Sequence, residues 1–201
     1  EKVKSPLFFQ IPKVKKPFPE LKVPNQSRSP SLSKSEILNS LTRGVNQNAI
    51  KEMPSLPGTE KELKIIAKNF DRNKTMLLLQ NEATETAIKG ADLSNTRYIS
   101  FASHAIVAGE IGEFDEPGIV LTPPNSPSEE DDGLLTASEI TQLKMNADLV
   151  ILSACNTGAG DSPSADGLTG LARSFFIAGN KELLVSNWRV TDEHAARLTI
   201  G

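Results

Sequence analysis

The sequence has a single cysteine, Cys155, among 201 residues, so no internal disulfide can form and a reducing compartment is the expected setting. It has only two histidines, His104 and His194. A closed structural zinc site would have to be completed by carboxylates, so no metal and no cofactor is expected. No apolar run approaches the roughly 20 residues that a membrane helix needs. The prolines of residues 1–30 interrupt any signal-peptide core. The expected location is therefore cytoplasmic, with no membrane partner. A net charge of −3 gives no whole-chain argument for nucleic acid. Lys and Arg are missing from Tyr98 through Leu143, the stretch where acids cluster. What is present suffices for folding, since 38% hydrophobic residues in a chain of this length can bury one full core.

Residues 1–58 hold eight of the 13 prolines and a serine-rich run from Ser27 to Ser40. They read as extended or irregular, so residues 1–55 are expected to be a linker or an incomplete N-terminal part, and 56–201 the folded domain. Thr59 and Glu62 suggest a capping box for a helix that repeats Leu63, Ile66, Ala67 and Phe70. Thr75–Leu79, Tyr98–Ala102, Ala147–Ala154 and Glu182–Trp188 read as strands. A short helix follows Thr84, a second capping box joins Thr136 to Glu139, and Leu168, Leu171, Ala172 and Phe175 repeat at helical spacing before Gly179. The long acidic, proline-bearing segment from Gly109 to Asp132 reads as a functional or disordered loop. Strands alternating with helices predict an α/β fold with a mostly parallel sheet, whose ligand site lies beyond the C-terminal strand ends.

Two strand ends carry chemistry. Cys155 follows a nearly continuous apolar strand, and His104 follows another, 51 residues upstream. A lone cysteine is usually a small buried hydrophobe. A histidine at this spacing changes the reading, because about 50 residues separate the histidine and cysteine of caspases. An imidazole can take the thiol proton and return it to a leaving amine. The glycines after Cys155 do not make a nucleotide site, since Pro163 breaks the dinucleotide pattern and no Lys follows for a P-loop.

From Leu56 onward the chain resembles the CHAT domain, a bacterial branch of the caspase-like cysteine peptidases. The resemblance rests on Leu56-Pro57-Gly58-Thr59, on Tyr98 through His104, on Asp132 through Ile140 with Ala147 through Gly158, and on Gly167–Gly179 with Val185 through Val190. It implies a three-layer α/β sandwich, caspase-like and shortened at both ends, with His104 and Cys155 as a catalytic dyad. It also implies an oxyanion hole from the backbone N–H groups of Ala105 and Cys155. Ser186-Asn187-Trp188 would run beside the substrate as a strand-like partner. The family usually has Gly after the histidine, and Ala105 stands there instead.

Asp132, Asp166 and Asp192 are candidates for the pocket that reads the substrate side chain, although aspartates equally serve turns and caps. Acids following His104 would favour a basic residue before the cut. Trp188 is either core or a substrate wall, and His194 reads as a helix-surface residue. The expected activity is a cysteine endopeptidase cleaving a protein or peptide partner, controlled by an attached sensor or repeat domain. The alternative is an inactive caspase-like scaffold or signalling module that binds protein partners.

Overall fold

The computed structural model describes residues 7–10, 45–108, 115–153 and 164–185. In chain order the elements are β1 (Leu7–Gln10), α1 (Gln47–Glu52), α2 (Pro57–Ala67), β2 (Met76–Leu78), α3 (Glu85–Lys89), β3 (Tyr98–Ala102), β4 (Ala105–Ile106), β5 (Gly118–Val120), β6 (Leu134–Thr136), α4 (Ala137–Gln142), β7 (Leu149–Ser153), α5 (Ser164–Ala178) and β8 (Glu182–Val185). Among the described residues, no helix is long and apolar enough to cross a membrane.

The main sheet has five parallel strands in the order β2-β1-β3-β7-β8, as the alternation of strands and helices predicts. Strand alternation in β3 explains how helices cover both faces. Ile99 and Phe101 belong to a cluster with Ile140, Leu171 and Phe175, on the side of α4 and α5, whereas Ala102 packs with Leu63 of α2. The rings of Phe101 and Phe175 lie 5.6 Å apart and tilted. Both are fully buried, each contributing about 1.5–3 kcal/mol by leaving water. Gly179 ends α5 at φ +106°, where a Cβ would sit 2.5 Å from the Met145 carbonyl oxygen. Only glycine fits that left-handed stop.

A second, three-stranded antiparallel sheet, β4-β5-β6, extends from the end of β3. Each strand is two or three residues long, too short to leave a period in the sequence. β5 lies inside the segment expected to be loop.

Two expectations need correction. Residues 1–58 are not irregular throughout, because β1 lies between β2 and β3 and α1 precedes Pro54. A central parallel strand of four residues escapes notice among flanking prolines. The Thr59–Glu62 capping box does not form: Pro57 opens α2 two residues earlier, and the Thr59 hydroxyl donates to the Leu56 carbonyl at 2.7 Å. A proline at the first helical position loses nothing, since that N–H has no intrahelical acceptor. The box at Thr136 and Glu139 forms as expected.

Candidate active site

The order of the main sheet reverses between β1 and β3, and crevices at such reversals open at the C-terminal strand ends. His104 stands two residues beyond the end of β3. Its backbone is fixed from β5, because Val120 N–H donates to the His104 carbonyl at 2.9 Å. The hydroxyl of fully buried Ser103 donates to the Val120 carbonyl. The ring is fixed from another direction. His104 Nε2 lies 2.8 Å from the Pro54 carbonyl oxygen. A carbonyl only accepts, so Nε2 carries the proton, and in the neutral ring Nδ1 carries the lone pair. Nδ1 is buried and has no hydrogen-bond partner among the described residues. His104 is 1% exposed. The sequence reading missed Pro54, whose Pro54-Ser55-Leu56-Pro57 context signals only a stiff turn.

Ala105 pairs with Ile119, and the bond from Val120 N–H to the His104 carbonyl makes this a non-hydrogen-bonded pair of the ladder. The Ala105 N–H therefore points away from β5. Among the described non-glycine residues only Gln80 has positive φ, so the backbone at Ala105 places no demand that glycine alone could meet.

Cys155, Ser186, Trp188, Asp192 and His194 lie outside the described residues. Ala102 and Ser153 are register partners in β3 and β7. Cys155 follows Ser153 along the chain by the same two residues that separate His104 from Ala102. Two residues span at most about 7 Å, so chain length alone keeps Cys155 within that reach of the end of β7, the strand beside β3. Asp166 falls in the first turn of α5, the element that follows β7 in the chain. Ser153 Oγ donates to Glu62 Oε2 at 3.2 Å. Glu62, expected at a helix cap, is a fully buried carboxylate directed at the sheet.

Asp132 is fully buried, and its Oδ1 accepts from Leu134 N–H at 3.0 Å. It belongs to a clamp centred on Glu85, whose Oε1 accepts from the N–H groups of Asp132, Gly133 and Leu134 at 2.8, 2.6 and 3.1 Å. Lys89 Nζ closes the clamp at 2.8 Å from both Glu85 and Glu139. Burial pushes the Glu85 carboxyl up to about 7 against the opposing pull of Lys89. Burial disfavours the Lys89 ammonium, yet its bonds to Glu139 and Glu85 leave its pKa above the ordinary value. Neighbouring acids do similar work: Asp131 accepts from the N–H and hydroxyl of Thr86, and Glu116 accepts from Ser138 N–H at 3.0 Å. These carboxylates build the loop, and so weaken the expectation that they attract basic substrates. Among the described residues, no group of three or more His, Cys, Asp or Glu side chains is placed to hold a metal ion.

A mostly parallel α/β domain, with a histidine held just beyond β3 and the neighbouring β7 ending two residues before the cysteine in sequence, is the class that these elements define. The CHAT domain family matches residues 11–201, and the chain belongs to that family, which is related to the caspase-like peptidases. No curated protein and no solved structure gives a match.

Proposed function

We propose that the chain is a cysteine endopeptidase with a caspase-like three-layer sandwich, acting on a protein or peptide in the cytoplasm under the control of an attached sensor or repeat domain. The observation that carries this reading is the His104 ring. A structural histidine in a core has both nitrogens paired, and an unpartnered buried polar atom calls for an explanation. Here the Pro54 carbonyl holds the proton on Nε2 and leaves Nδ1 to accept one. Cys155 would give its thiol proton to Nδ1 and attack the scissile carbonyl carbon. The N–H groups of Ala105 and Cys155 would hold the resulting oxyanion. Collapse breaks the C–N bond, and the Nδ1 proton passes to the leaving amine. Water then hydrolyses the thioester and regenerates the thiol. Ser186 and Trp188 would flank the substrate, with Asp166 and Asp192 as candidates for reading its side chain.

The burial of His104 favours a second reading, an inactive scaffold that keeps the fold and binds partners. Cleavage of a peptide library by the parent chain and by Cys155→Ala separates the two. The peptidase reading expects cleavage that the alanine variant loses entirely. Cleavage retained by Cys155→Ala, or none by the parent, would favour the scaffold.

A further inference from the structure

We propose that the segment from Val45 to Pro54 is a positioning element for the base, and that its docking on the small sheet decides which nitrogen of His104 carries the proton. The inference rests on the dyad reading and adds a control point to it.

Val45 and Ile50 are 1% and 5% exposed. They pack with Ile106, Val120 and Leu134 in a cluster separate from the core of the main sheet, flanked by Ala49 and Met53. α1 has only six residues, too few to persist without tertiary packing. Its start is held by Asn46, whose side-chain oxygen accepts from the N–H groups of Asn48 and Ala49 at 3.1 Å each. Met53 N–H closes the last turn on the Ile50 carbonyl at 3.3 Å. Pro54 follows at once, and its carbonyl meets Nε2. Val120 ties the two halves together. Its side chain belongs to the apolar cluster, while its N–H holds the His104 backbone. Undocking α1 would withdraw the Pro54 carbonyl. Nε2 would then lose its acceptor, and the proton could shift to Nδ1. A ring protonated there cannot accept the thiol proton, so the base is switched off while the main sheet stays folded.

The tautomer of His104 tests this directly. The full chain is labelled with 15N, and its imidazole signals are assigned with His194→Gln. The parent is expected to show the proton on Nε2. Ile50→Ala should move His104 toward the Nδ1–H form, and so should Asn46→Ala, which loosens α1 from an exposed position. Leu63→Ala, an apolar truncation in the α2 cluster, should leave the tautomer unchanged. Where cleavage is measurable, kcat should fall on the order of tenfold in the α1 variants, with KM within about twofold, short of the roughly hundredfold or more expected for removing the base. If Ile50→Ala fails to fold, Asn46→Ala carries the test. An unchanged Nε2–H tautomer in the folded α1 variants overturns the inference. A shifted tautomer in a chain that cleaves nothing supports the positioning role and counts against the peptidase reading alone.

Discussion

The two sheets share apolar burial but differ in the directed bonds added to it. The five-stranded sheet rests on apolar burial, with Ile99, Phe101, Val150, Leu152, Leu171 and Phe175 in one continuous cluster. The three-stranded sheet joins that cluster through Ala105, Ile119 and Leu135, and packs Ile106, Val120 and Leu134 in a second one. Directed polar bonds secure it: the Glu85 carboxylate across three N–H groups, the Thr136–Glu139 capping box, and the Ser103 hydroxyl on Val120. Apolar packing is non-directional, whereas hydrogen bonds fix angles. His104 leaves the large sheet and is aimed by the small one. The large sheet thus supplies stability, and the small sheet supplies orientation.

That division can be broken from either side. Phe101→Ala removes a fully buried ring from the large sheet, and should cost about 3–5 kcal/mol in a denaturant titration. The His104 environment should survive in whatever fraction stays folded. Glu85→Ala removes the acceptor shared by the Asp132, Gly133 and Leu134 N–H groups, of which Leu134 keeps Asp132 Oδ1, and takes one partner from Lys89. It should cost about 3 kcal/mol, and hydrogen exchange should quicken in residues 131–136 before it quickens in β3 or β7. Uniform exchange in both sheets would erase the distinction. The smallest effect concerns Ala105. Its backbone has no positive φ, so Ala105→Gly should leave any cleavage rate within about twofold of the parent, the N–H donor being the same in both. A large gain would mean that the Ala105 backbone is held away from the geometry an oxyanion needs.

The same division explains what the sequence discloses. β3 and β7 are five-residue strands with four apolar residues each, and α5 carries a helical period, so the large sheet and its cover are legible from pattern. The 51-residue spacing of His104 and Cys155 is legible too, and the strands that precede them, β3 and β7, run side by side. β4, β5 and β6 are not, because two or three residues carry no period and their anchors come from distant side chains. Glu85 stands 47 residues from the Asp132 N–H that it accepts. Pro54 stands 50 residues from His104 and acts through its carbonyl, which no side-chain motif can reveal. Glu62 and Asp132 read as cap and pocket candidates because their sequence neighbours suit those roles. Only tertiary packing shows both to be buried.

The most direct test of the dyad is covalent. The parent chain, His104→Ala and Cys155→Ala are each incubated at neutral pH with a peptidyl acyloxymethyl ketone, and the adducts are read by intact mass and peptide mapping. The account predicts one adduct per parent chain, mapped to Cys155, strongly slowed in His104→Ala and absent from Cys155→Ala. Equal labelling of the parent and His104→Ala would show a thiol that owes nothing to the histidine, and would contradict the dyad.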